Sequence, residues 1–286
     1  MAEQTLLFGT ERNLVATLTL PEGGARAPLA VVLTNSGVIP RVGPHRMNVH
    51  LARRLAAMGI PSIRFDMSGL GDSRRASGTR PIAQQWVIDT REAMDLAQRH
   101  FGCSRFAMIG FCSGADVAHL TALEDERLQA CVLWDGYVYP TLQARLRGLV
   151  HRLRRAGPVG LLQRVWARLR PKPKAEAADE GEPLEPGDEG PMIFGRTRVP
   201  PRDEYARRIQ ALVSRGVQLL FLYSGGEPLW LNYRGQFRDM FGRYGFVDRV
   251  DYQLLDEADH LLTRPQSQQR FIEVVMGWLQ QRVLRR

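Results

Sequence analysis

The stretch RFAMIGFCSGADVAHL, Arg105 to Leu120, constrains this chain more than any other. An apolar run leads straight into Gly110-Phe111-Cys112-Ser113-Gly114, and a helical pattern starts immediately after it. A strand and a helix joined this abruptly leave room for one sharp turn. The turn displays its middle residue above the sheet, as in a nucleophile elbow. Glycines two residues to either side are needed because side chains there would meet the neighbouring strand and helix. The thiol of Cys112 then sits at a helix N-terminus, where the dipole favours a thiolate. Ser113 is the rival nucleophile, but Phe111 and Ala115, two residues away on its either side, do not fit the small-residue rule. The other cysteines, Cys103 and Cys131, read as small buried hydrophobes.

The surroundings repeat the alternation of strand and helix. Val15 to Leu20 reads as a strand, and Leu29 to Leu33 (LAVVL) as one buried on both faces. Met47 to Met58 is a helix closed by Gly59, and Ile60 to Phe65 a strand with a turn opening at Asp66. Ile82 to Phe101 is a long helix, Arg105 to Gly110 a strand, Ala115 to Leu123 a helix and Leu128 to Trp134 a buried strand. After an interruption come a helix at Arg202 to Ser214, strands at Val217 to Tyr223 and Val250 to Leu255, and a final helix at Ser267 to Val283. This order implies an α/β fold: a mostly parallel central sheet with right-handed crossovers and helices on both faces.

A nucleophile in such an elbow needs a base, which comes late in the chain. Of six histidines only His260 directly follows a late strand, in YQLLDEADH. His45, His50, His100, His119 and His151 fall in or before helices and read as structural or surface residues. The acid that orients the imidazole is expected to be Glu227, in YSGGE past the penultimate strand; Asp135, ending LQACVLW, is the alternative. Asp259 adjoins His260 too closely in sequence to point at it. The oxyanion hole is expected from the backbone N–H of Ser113 and from the loop after LAVVLTNSG, at Gly37 and Val38.

The interruption is itself informative. Thr141 to Lys174 holds ten Arg or Lys and no acid; the next sixteen residues, Ala175 to Gly190, hold seven Asp or Glu and no base. The formal net charge of +9 is therefore blocky, which argues against a nucleic-acid-binding surface spread over the molecule. Thr141 to Leu169 reads as two amphipathic helices divided at Gly157-Pro158, with Leu142, Leu146, Leu149, Val150 and Leu153 on one face. The Pro-, Gly- and acid-rich stretch at about 171–191 reads as disordered. The organisation expected is a core in two parts, residues 1–136 and 201–286, with a cap insertion at 137–200. The apolar stripe is read first as a cover over the nucleophile that lines an acyl pocket, and second as a peripheral contact with an anionic membrane surface. Three cysteines without ligand spacing point to neither a metal site nor a disulfide framework, and no cofactor is expected. With no signal-peptide pattern at Met1 and no apolar run of about 18 residues, a cytoplasmic location is expected, with the membrane contact as its qualification.

Taken together these residues resemble the α/β-hydrolase superfamily over nearly the whole chain. More closely, NSGVIPRVGPHRMNVHLARRLAAMGIPSIRFDMSGLGDS, the Cys elbow and the ADH around His260 resemble the exosortase A system-associated hydrolases. Dienelactone hydrolases share the Cys elbow. The resemblance implies Cys112, Glu227 and His260 as a triad. It marks Arg41 and Arg46 as motif positions and gives Asp66 and Asp72 a structural role around Gly69 and Gly71. It also implies a setting near envelope-polysaccharide or natural-product assembly. The glutamate departs from the commoner aspartate, and the insertion has no counterpart in the resemblance. The expected activity is hydrolysis of an ester or thioester of a small-molecule or carrier-bound acyl group. The alternative is acyl transfer to an amine, alcohol or thiol.

Overall fold

The apolar runs become the inner strands of one eight-stranded sheet. The computed structural model describes residues 1–25, 27–150, 199–225 and 231–284. The strands are β1 (Ala2–Phe8), β2 (Leu14–Leu20), β3 (Leu29–Leu33), β4 (Ser62–Asp66), β5 (Arg105–Phe111), β6 (Leu128–Trp134), β7 (Gln218–Ser224) and β8 (Asp251–Leu255), in the order β1-β2-β4-β3-β5-β6-β7-β8. β1 and β2 pair antiparallel, as do β2 and β4, and every later pairing is parallel. This is the α/β-hydrolase fold.

Helices α1 (Met47–Ala57), α2 (Ile82–Phe101), α3 (Ser113–Glu124), α4 (residues 142–150), α5 (Arg202–Ser214), α6 (Gln236–Phe241) and α7 (Pro265–Trp278) follow in chain order. Alternate residues of one strand feed two cores. Val31, Leu33, Ile109 and Val132 pack with Leu51 and Leu55 of α1 and Phe271 and Val275 of α7. Val32, Met108, Cys131 and Leu133 pack on the other side with residues of α2, α3 and α5. A strand covered on both faces has no polar positions to spare, which is why LAVVL and LQACVLW read as continuous apolar runs. The first strand, β1, was not foreseen. It lies at the sheet edge with most of its side chains exposed, so its apolar pattern is weak. The acidic stretch expected to be disordered, and the insertion beyond residue 150, lie outside the described residues.

Two loops that reach the site hang on one buried carboxylate. Asp66, fully buried at the end of β4, accepts from the Asn35 amide at 3.0 Å, the Arg41 backbone N–H at 2.6 Å and the Asp72 backbone N–H at 3.1 Å. The Arg41 guanidinium bridges Asp66 and Asp72, and burial is outweighed by both carboxylates, which hold its pKa above the ordinary value. Asn35 in turn donates to the Ile39 carbonyl and accepts from Met67 N–H. The turn after β3 is thus tied to the turn after β4, the structural role expected of Asp66 and Asp72. Removing one partner of a buried pair strands the other charge. Asp66→Ala is therefore expected to cost about 3 kcal/mol of folding stability, at the low end because Asp72 still holds Arg41. Urea unfolding monitored by circular dichroism measures it; a loss below about 1 kcal/mol would show that the two turns do not depend on this carboxylate.

Candidate active site

The elbow is built from the contact of two glycines. A Cβ on Gly110 would run into the backbone of Gly114, and one on Gly114 would lie 2.7 Å from the Asn35 carbonyl and from Thr34 Oγ1. With both positions bare, β5 passes into α3 through Cys112 alone. Its backbone sits at φ 52°, ψ −115°, a region that costs an L-residue about 1–3 kcal/mol. The turn is pinned by Cys112 N–H on the Trp134 carbonyl at 2.9 Å and by Ala115 N–H on the Cys112 carbonyl at 3.0 Å. Cys112 is partly exposed, whereas Cys103 and Cys131 are buried. Burial raises the Cys103 thiol and pushes that of Cys131 up to about 12.

Ser113 does not share this exposure. It is buried, and its Oγ accepts the backbone N–H of Gly37 at 2.9 Å. The bond corrects one expectation: the Gly37 N–H is spent inside the protein and does not point at a substrate. The physical reason is that a buried hydroxyl needs a partner, and the glycine at φ 56° brings its amide close enough to be that partner. The neighbouring N–H of Val38 has no acceptor among the described residues, and its side chain is exposed. The Ser113 N–H opens α3 and so lacks an intrahelical acceptor. These two amides remain the candidate oxyanion donors.

His260 lies on the loop after β8. Its Nδ1 is 2.8 Å from Asp135 Oδ2, and Cys112 lies close enough to the ring to raise its pKa. Its own carbonyl accepts from Trp134 Nε1 at 3.0 Å, which fixes the loop to the end of β6. Asp135 is held by more than the imidazole. Ser224 N–H donates to its Oδ1 at 2.7 Å and Ser224 Oγ to its Oδ2 at 2.8 Å. The place at the imidazole expected for Glu227 is thus taken by Asp135; Glu227 itself lies outside the described residues. Asp259 turns its carboxylate back onto Leu261 N–H and Thr263 N–H, both at 3.0 Å, so it serves its own loop. Ser224 was not foreseen, and a lone serine at a strand end carries no signal that would single it out.

The other histidines do not compete. His45, His50 and His100 are exposed, and His151 is outside the described residues. His119 is fully buried in α3 with Tyr137 and Tyr205 edge-on to its ring, and burial pushes it down to about 3, so it stays neutral. Among the described residues no group of three or more His, Cys, Asp or Glu is arranged to hold a metal.

The model of the Hydrolase_4 family, described as serine aminopeptidase, S33, matches residues 27–187. Among solved structures the chain is similar to Est1E from Butyrivibrio proteoclasticus, at TM-score 0.58 and 14% identity over 98% of each chain. It is similar to the esterase domain of a Rhodothermus marinus protein, at TM-score 0.55 and 19% identity over 97% of this chain and 98% of that one. An alpha-beta serine hydrolase homologue from Coxiella burnetii gives TM-score 0.58 and 13% identity over 98% of each. Identities this low establish a shared fold. No curated protein matches the chain in sequence.

The hydrogen bond to Asp135, then that to Cys112, pushes the His260 pKa up to about 10 against the opposing effect of burial. Because the folded value lies above the free imidazole's 6.5, the protonated ring stabilises the fold fully below pH 6.5. That contribution is lost as the pH rises through about 10. Nitrogen-15 NMR should therefore find His260 still an imidazolium at pH 8, and Asp135→Asn should bring its titration down towards the ordinary range. In parallel, iodoacetamide at pH 7 with peptide mapping should label Cys112 far ahead of Cys103 and Cys131. A neutral His260 at pH 8 would contradict its ion pair with Asp135, and equal labelling of the three thiols would contradict the singular exposure of Cys112.

Proposed function

The chain belongs to the Hydrolase_4 family, and from that membership we propose that it is an acyl hydrolase working through a covalent intermediate on Cys112. In this reading His260 transfers the proton and Asp135 orients and charges the imidazole. The observation that carries it is the chain of contacts from the partly exposed Cys112 through His260 to Asp135. The family's description names serine; here the strained elbow position is a cysteine and the adjacent serine is buried and bonded.

The proposed chemistry starts with His260 taking the proton of the Cys112 thiol. The thiolate attacks the acyl carbon of an ester or thioester, and the carbonyl π electrons move to oxygen. The oxyanion lies where the Ser113 and Val38 amides would donate to it. Collapse breaks the bond to the leaving alkoxide or thiolate, which takes the proton of His260. The acyl-enzyme is then a thioester on Cys112. A water gives a proton to the now neutral His260 as it attacks, and expulsion of the thiolate restores the pair. Asp135 keeps the imidazole oriented throughout.

The cysteine favours one second reading. A thioester acyl-enzyme is attacked readily by amines and thiols, so the same intermediate serves an acyltransferase. The resemblance to exosortase A system-associated hydrolases supports a polysaccharide or natural-product setting for either reaction.

Two measurements test the proposal. Incubation with an acyl-thioester library, with and without amine or thiol acceptors, should add one acyl mass to the intact protein at Cys112. Faster release by acceptor than by water would select the transferase. Cys112→Ala and His260→Ala should each lower turnover by about 10³-fold or more. Asp135→Asn should lower kcat by about 10²–10⁴-fold, while Glu227→Gln leaves most activity. A mild Asp135→Asn beside a crippling Glu227→Gln would return the acid's role to Glu227. An acyl adduct that survives in Cys112→Ala would move the nucleophile elsewhere.

A further inference from the structure

Helix α4 presents an apolar face that stands exposed among the described residues. It starts at Thr141, whose Oγ1 caps the helix by accepting Ala144 N–H at 3.1 Å and lies 2.8 Å from the Tyr233 hydroxyl. Tyr233 donates in turn to Asp239 at 2.5 Å, Asn232 donates to the Ala144 carbonyl at 3.0 Å, and the Arg147 guanidinium stands 5.0 Å from the Tyr233 ring. The helix is thus fastened to the segment 231–239 along the side that carries Ala144, which is buried. At 3.6 residues per turn Leu142, Leu146, Leu149 and Val150 share an arc of about 100° turned away from Ala144. They are 76%, 55%, 48% and 44% exposed. Isolated exposed leucines need no explanation, but four on one arc of one anchored helix form a patch.

The charge says what such a patch suits. Arg145 is exposed at the border of the arc, and the sequence from Thr141 to Lys174 supplies ten cations and no anion. A second copy docked face to face would set one arginine-bordered face against another, which like-charge repulsion opposes. The reading of the stripe as a cover over the nucleophile concerns Thr141 to Leu169, most of which lies outside the described residues. An apolar arc bordered by arginines matches a helix lying in the headgroup layer of an anionic bilayer, with leucines reaching the acyl chains and cations at the phosphates.

We propose that α4 docks this protein on an anionic phospholipid surface through Leu142, Leu146, Leu149 and Val150. The surface would hold the molecule beside acyl substrates that partition into or are assembled on a membrane, a consequence that rests on the acyl-hydrolase reading; the docking itself does not.

The test uses the full chain and sedimentation with phosphatidylcholine vesicles, with and without phosphatidylglycerol. Wild type should pellet with the phosphatidylglycerol vesicles alone, and less so as salt is raised. Leu146→Glu combined with Leu149→Glu should reduce that binding by about tenfold or more, with the melting temperature and turnover of a soluble thioester unchanged. Cys112→Ala should bind vesicles like wild type, so failure of the chemical reading leaves this one standing. The proposal is overturned if wild type does not bind phosphatidylglycerol vesicles, or if the double variant binds as well as wild type. It is also overturned if the double variant lowers the melting temperature or soluble turnover while vesicle binding is kept, which would assign the leucines to a cover made by the chain's own insertion. A monomer–dimer shift in the double variant without lipid would assign them to a second copy.

Discussion

The left-handed backbone of Cys112 is the constraint on which the rest of the site depends. A residue with a Cβ at φ 52° is held there only if its surroundings leave no easier path. Here the surroundings are the ends of three parallel strands. β5 must stop where the Gly110 and Gly114 backbones touch, and Gly114 in turn lies against the residues that follow β3. The bond from Cys112 N–H to the Trp134 carbonyl extends the β5–β6 ladder one step beyond the strand. The strain of one residue is thereby set against the cooperativity of the whole sheet, and the outcome is a thiol displayed at the start of α3.

The same device recurs one strand over. Asp135 follows β6 as Cys112 follows β5, again at positive φ, 48°, and again with its N–H carried by the next strand, here on the Leu222 carbonyl of β7. Two adjacent strands therefore end in strained residues with reactive side chains. Positive φ at residues other than glycine is uncommon, and two of them bracketing one histidine are hard to explain by packing. His260 is drawn between them from a third strand end and tied down through its own carbonyl by Trp134. Strand ends give this site a precision that loops alone would not, because each position is set by a hydrogen-bond ladder.

Much of this was legible in the sequence, and the failures have a common cause. LAVVL, LQACVLW and the elbow glycines are dictated by local physics: burial on both faces, and a turn too tight for side chains. Those elements fall where the periodicity places them. The acid is a different matter. Glu227 and Asp135 each stand past a strand end, and both fall between Cys112 and His260 in chain order. What decides the contact is the reach of a side chain across the ends of β6 and β7, aided by Ser224, and no spacing in the sequence encodes that reach. Gly37 shows the same limit. The sequence marks a glycine that lets backbone come close, and the structure supplies the partner, Ser113 Oγ, instead of a substrate. The edge strand β1 carries no alternating signal, because most of its residues face solvent and its apolar residues, Leu6, Leu7 and Phe8, cluster at one end.

The cysteine changes how this architecture works at rest. A serine hydroxyl is too weak an acid to give its proton to a neighbouring imidazole before substrate arrives, so a serine elbow holds a neutral pair. A thiol and an imidazole are close enough in acidity for the proton to cross at rest, and an acceptor carboxylate behind the ring favours the crossed state. The raised pKa of His260 has Asp135 as its first cause and Cys112 as its second. Three contacts on Asp135, one from the imidazole and two from Ser224, keep that carboxylate in place. In the proposed mechanism His260, which holds its proton more tightly than a free imidazole, is the acid that serves the leaving group. In the proposed reaction the substrate brings a carbonyl carbon to sulfur and an oxygen to the amides at Ser113 and Val38.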